Sequence, residues 1–169
     1  MLMRLVDVQL AIPGMVFVLL IVTILKPSLF AVIIVLSIIA WVVFARVARA
    51  QVLALREQEM VTAIRTLGGS HLRILVRHVL PNIAGPLIVI ATVQLANLVL
   101  IQAGLGYLGL GVPPPTPDLG GMIADGQSQL TAGEWWTVAV PAFFIVAVIG
   151  TANVLGDWLR ALLDPRGAR

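Results

Sequence analysis

Four long stretches nearly free of charge limit what this chain can become. Residues 8–25, 83–103 and 136–155 carry no Asp, Glu, Lys or Arg, and 29–47 carries none before Arg46. A helix crossing the hydrocarbon core needs about 20 mostly apolar residues. Backbone groups in lipid must bond within their own segment or close a barrel. The stretches show no alternating pattern, so helices are the natural reading. Composition agrees, because only 11% of the residues are charged and 60% are hydrophobic, against about 25% charged in a soluble domain. The predicted fold is all-α, a polytopic helical membrane protein with four transmembrane helices. Pro13-Gly14 interrupts the first near its start. That break, with no small-residue cleavage site after it, argues against a cleaved signal.

Basic residues set the orientation. With residues 48–82 in the cytoplasm, Arg49, Arg56, Arg65, Arg73 and Arg77 lie inside, with Arg46 at the edge. Both termini join them, adding Arg4, Arg160, Arg166 and Arg169, so Lys26 alone of the eleven basic residues lies outside. The other external segment, 104–135, carries Asp118, Asp125 and Glu134 and no basic residue. The high pI of about 10.6 is therefore a topology signal with contact to lipid headgroups, and no nucleic-acid partner is needed to explain it. Trp135, Trp136 and Trp158 bracket the last span as interfacial anchors, while Trp41 lies within the second.

Segment 48–82 has its own pattern. Met60, Val61, Ile64 and Leu67 recur at helical spacing, and Gly68-Gly69 stops that helix. Ser70 is a candidate N-cap for a second helix, with Leu72, Leu75, Val76 and Val79 on one face and Arg73 and Arg77 on another. Pro81 is expected to end it and Asn82 to cap the third span. From pattern alone, this helix–turn–helix either rests on headgroups or docks a soluble partner.

Chemistry is sparse. The chain has no cysteine and no phosphate-binding G-x-x-x-x-G-K-[ST] loop, so no ATPase site of its own, no other catalytic centre and no cofactor is expected. His71 and His78 lack neighbouring carboxylates in sequence, so no metal site is expected either. Within the spans, Gln94, Asn97 and Gln102 on the third and Thr151 and Asn153 on the fourth are costly in lipid. They serve interhelical hydrogen bonds or line a path, and Gln94, Asn97, Gln102 and Asn153 are the candidate path-lining residues. Pro113-Pro114-Pro115-Thr116-Pro117 is expected to be stiff and extended.

The loop resembles the signature of binding-protein-dependent ATP-driven importers: Glu-Ala-Ala, three residues, Gly, nine residues, Ile, one residue, Leu-Pro. Here Thr62-Ala63-Ile64 precedes Gly68 at that spacing, and His78, Val79, Leu80 and Pro81 follow. Ala63, Gly68, Leu80 and Pro81 match in identity, whereas Thr62, Ile64 and His78 depart from the pattern. Glu59, one turn earlier, could supply the acidic contact. Leu55-Arg56-Glu57, Arg77 to Asn82, Gly109-Leu110-Gly111-Val112 with the proline run, Leu155-Gly156-Asp157 and Leu163-Asp164-Pro165 resemble the dipeptide/oligopeptide/nickel permease branch along nearly the whole chain.

The resemblance implies one permease domain over 1–169, with 48–82 as a cytoplasmic coupling loop and 104–135 as an external loop. It implies that Glu59, Thr62, Ala63, Gly68, Gly69, Ser70, Arg73, Leu80 and Pro81 couple the chain to cytoplasmic ATP-hydrolysing subunits. A second permease subunit forming a heterodimer, an external solute-binding protein, membrane lipid and a bacterial or archaeal plasma membrane with both termini cytoplasmic are also implied. The expected activity is ATP-driven import of peptides or similar small solutes; nickel or another solute, a passive channel, and a truncated non-transporting remnant are the alternatives. Family members often carry an acidic residue near position 102, where this chain has glutamine. Six spans are usual in the branch, so the chain corresponds to the C-terminal part of such a fold, with two N-terminal spans apparently missing.

Overall fold

The computed structural model describes residues 2–57, 64 and 70–163. Among them the regular structure is helical throughout. The elements in order are α1 (Leu2–Leu10), α2 (Gly14–Leu25), α3 (Leu29–Arg56), α4 (His71–Ile74), a π-turn (Leu75–Val79), α5 (Leu80–Tyr107), α6 (Leu119–Gln127), a 3-10 turn (Leu130–Ala132) and α7 (Trp136–Leu163). Three helices are long and apolar enough to cross a membrane, and a fourth span results only if α1 and α2 count as one bent unit.

That bend corrects the first expected span. Residues 8–25 do not form one straight helix, because α1 and α2 meet at 97°. Pro13 has no N–H to continue the α1 ladder, and its own carbonyl accepts Phe17 N–H at 3.0 Å to begin α2. With 12 residues, α2 is about 18 Å long, short of the roughly 30 Å hydrocarbon thickness. Gln9 fastens α1 to α3: its amide nitrogen donates to the Ile38 carbonyl at 2.7 Å, and its oxygen accepts Trp41 Nε1–H at 3.0 Å. Trp41 thus has a specific polar partner inside the fold. Asp7 and Arg46 meet at 3.8 Å, both well exposed, a pair that adds little stability.

The hairpin after α2 turns at Lys26, which has φ 61, and Ser28 Oγ caps α3 by accepting Ala31 N–H at 3.1 Å. Because residues 48–56 are mostly strong helix formers, α3 does not stop at the expected edge near 47. It continues to Arg56 and packs its extension, through Val52 and Leu55, on Ile74, Val79 and Ile83. The larger core joins α2, α3 and α5 through Val18, Val22, Val35 and Leu105, all fully buried. Much of the remaining apolar surface is open, including Phe143, Phe144, Val146 and Val154 on α7, as suits helices solvated by lipid.

Two further expectations change. Pro81 does not end the loop helix: α4, the π-turn and α5 run on as one 37-residue helix, His71–Tyr107. Widening to a π-turn just before the proline brings Leu80 N–H to the Leu75 carbonyl, and Pro81 then occupies the first turn of α5, where its missing N–H is tolerated. Asn82 caps nothing; its amide donates back to the His78 carbonyl at 2.6 Å. The proline run is not extended either. Its Pro114–Pro115 peptide is cis, and Thr116 N–H reaches the Pro113 carbonyl at 3.3 Å, so the chain folds back from the end of α5 to the start of α6.

Candidate functional site

The polar side chains of α5 are handled in two ways. Gln94 is 7% exposed, and its Oε1 accepts from Asn97 Nδ2 at 3.2 Å. The pair satisfies part of its own demand within one helix turn, while Asn97 stays on the open face. Two turns on, Gln102 Nε2 donates to Asp118 Oδ1 at 3.3 Å. Asn153 is exposed on α7. Thr151 bonds back to the Ala147 carbonyl at 2.7 Å, an intrahelical use of its hydroxyl.

Asp118 is the residue that sequence reasoning missed, having counted it only as an external charge. Its Oδ1 caps α6 by accepting Gly120 N–H at 3.1 Å, so one carboxylate oxygen serves both the cap and Gln102. The other oxygen sits in a notch between Gly106 and Gly111. A Cβ on Gly106 would fall 2.6 Å from Asp118 Cγ, and one on Gly111 would collide with Asp118 Oδ2. Nearby, α6 lies directly on α5: a Cβ on Gly120 would stand 2.8 Å from the Ala103 carbonyl carbon. Its far end closes on α7, where a Cβ on Gly126 would lie 2.9 Å from Thr137 O. The Asp-x-Gly-Gly order after a proline run carries an N-cap signal, but the glycine notch has no local signature.

These contacts seat α6 between α5 and α7 and divide two cavities. One, of about 400 Å³, is lined mostly by apolar side chains, Leu36, Leu98, Ile145 and Val148 among them, with Gln102 and Asp118 as its polar edge. The second, of about 550 Å³, is bordered by Pro27, Tyr107, Gly111, Asp118 and Asp125. Pro117 and Asp118 line both.

At the opposite end, Ser70 caps α4, its Oγ accepting Arg73 N–H at 3.4 Å. Of the apolar face expected on this helix, only Val79 is buried. Leu72, Leu75 and Val76 are exposed at 71%, 43% and 55%, and Ile74 packs in their place. The apolar face of Leu72, Leu75 and Val76 is therefore turned outward, while Ile74 and Val79 supply the inward packing. Arg73, Leu80 and Pro81 are exposed on the same continuous helix. Glu59, Thr62, Ala63, Gly68 and Gly69 lie outside the described residues. Among the described residues, no three His, Cys, Asp or Glu side chains converge where they could hold a metal ion.

Comparison with known proteins places this architecture. The family model described as "Binding-protein-dependent transport system inner membrane component" matches residues 1–169. The oligopeptide transport system permease protein OppC of Bacillus subtilis is 40% identical over 164 residues, 97% of this chain and 53% of that protein. The di/tripeptide transport system permease protein DppC of Pseudomonas aeruginosa is 39% identical over 166 residues, 98% of this chain and 54% of its own length. The dipeptide transport system permease protein DppC of Bacillus subtilis is 36% identical over 164 residues, 97% of the chain and 51% of its own. The chain spans about half the length of the curated relatives it matches.

Proposed function

Because the chain belongs to the family of binding-protein-dependent transport system inner membrane components, we propose that it walls one half of the pore of an ATP-driven peptide importer. The relatives named above are peptide permease proteins, and peptides or similar small solutes are the cargo assigned here. A separate subunit in the cytoplasm hydrolyses the ATP, a second permease completes the pore, and an external binding protein delivers solute. The chain sits in a bacterial plasma membrane with residues 48–82 and both termini inside.

The observation that carries this reading is the continuity of His71–Tyr107. A helix start outside the membrane, bearing exposed Leu72, Leu75 and Val76 beside Arg73 and Arg77, is continuous with the helix that carries Gln94, Asn97 and Gln102. An apolar helix face suits a groove on a partner. Docking an ATPase against it would move α5 without an intervening hinge loop. Ile74, Val79 and Ile83, packed against the extension of α3, carry the same motion to a second span.

Leu75→Asp tests the docking. The substitution lies on the exposed face, so the chain still enters the membrane. The expected result is loss of the ATPase subunit on purification of the complex. Full retention of that subunit, with normal ATP-driven uptake, would refute the docking assignment.

A further inference from the structure

The two cavities share one charged residue. Asp118 borders the external cavity and, with Gln102, forms the polar edge of the inner one. Neither lining includes a lysine or arginine, and the external cavity is also bordered by Asp125. Among the described residues the one ion pair is that of Asp7 with Arg46, so Asp118 has no cationic partner there. Lys26 stands in the turn beside Pro27, which borders the external cavity, but is not itself part of the lining. The amide of Gln102 and the backbone of Gly120 orient the carboxylate without neutralising it, and the rest of the inner lining is mainly apolar.

We propose that Asp118 is a cation-selecting group where the external and inner cavities adjoin, favouring solutes that carry an ammonium group on an otherwise apolar body. The proposal rests on the importer reading for its direction, since it places the solute's route through both cavities. A fixed carboxylate beside low-dielectric walls raises the local concentration of cations. It also offers a charge-assisted hydrogen bond to an ammonium, while the apolar lining accepts the solute's side chains. Gln102 is a positioning residue for this carboxylate. A carboxylate at 102 would instead place like charges in contact, whereas glutamine there donates a hydrogen bond to Asp118 and leaves a single carboxylate at this position.

The test uses charged thiol reagents, because the chain has no native cysteine. Leu98→Cys, in the inner cavity one turn from Gln102, is labelled from outside in membranes holding the assembled complex, with the cysteine-free chain as background. The trimethylammonium-ethyl and sulfonatoethyl methanethiosulfonates are compared. The cationic-to-anionic rate ratio is expected to fall about tenfold on adding Asp118→Asn, the scale of one charge-assisted interaction. Asparagine keeps the helix cap; Asp118→Ser, also a capping residue, takes its place if the amide variant does not assemble. An unchanged ratio overturns the proposal. So does a Leu98→Cys thiol that reacts with neither reagent while Ser128→Cys on the external segment reacts with both. Labelling needs no ATP, so a complex that fails to import peptides while its ratio still shifts with Asp118 would refute the importer reading alone.

Discussion

Adding one methyl group at Gly120 and the same methyl at Gly121 should have opposite consequences. Both glycines lie in α6, so alanine gives each about 0.8 kcal/mol of helix propensity. At Gly121 the nearest atom to the new Cβ is 3.8 Å away, an ordinary contact. At Gly120 the Cβ would stand 2.8 Å from the Ala103 carbonyl carbon and 2.9 Å from its Cα. Those are backbone atoms of α5, near its C-terminal end, and cannot rotate aside. Restoring a 3.4 Å contact requires α6 to retreat by at least about 0.6 Å, and Asp118, two residues away, moves with it. Its 3.3 Å bond to Gln102 then stretches beyond hydrogen-bonding range. Overpacking costs about 1–3 kcal/mol, and losing a hydrogen bond to a charged group about 1.5–3 kcal/mol. Gly120→Ala should therefore be less stable than Gly121→Ala by about 2.5–6 kcal/mol. Reversible unfolding in mixed detergent micelles, followed by tryptophan fluorescence, measures the difference. Equal stability of the two variants would refute the claim that α6 is seated by direct backbone contact.

Other substitutions probe separate joints. Gly156→Val should loosen α7 from α5 by about 1–3 kcal/mol, since a Cβ there would lie 3.1 Å from Thr92 Cβ, whereas Gly150→Val, with open space around it, should leave the unfolding midpoint unchanged. Gln9→Leu removes the acceptor of Trp41 and the donor to Ile38; a loss of about 1–3 kcal/mol is expected in the same assay, together with a shift in tryptophan emission. Gly68→Arg, at the invariant-spacing glycine of the loop signature, should leave the chain in the membrane and ATP hydrolysis running while uptake falls to background. That is checked by measuring phosphate release and solute accumulation on one preparation.

The parts of this fold that depend on local pattern were legible before any coordinates. Apolar length marked α3, α5 and α7, and Ser70 announced the start of α4 because an N-cap needs only its own hydroxyl and an amide three residues on. The break at Pro13-Gly14 was visible as an interruption, but its 97° angle depends on Gln9 reaching α3, which no local rule specifies. The loop helix was legible as carrying an apolar face, but not as burying Ile74 while leaving Leu72, Leu75 and Val76 exposed. Helical periodicity assumes 3.6 residues per turn, and the π-turn at Leu75–Val79 alters that count. Moreover, apolar residues look the same in sequence whether they face a core, lipid or another protein. Asp118 escaped for a related reason. Its meaning comes from Gln102, sixteen positions away, and from the close approach of Gly106 and Gly111, a contact that no local pattern marks.

In the function proposed above, ATP hydrolysis by a separate subunit drives solute through a pore this chain helps to build. Proteoliposomes containing the complete complex, with binding protein outside and ATP enclosed, test it directly through accumulation of a radiolabelled dipeptide. The expected result is accumulation that requires ATP and that disappears with Gly68→Arg in this chain. Accumulation unaffected by omitting the chain, or by that substitution in a fully assembled complex, would contradict it.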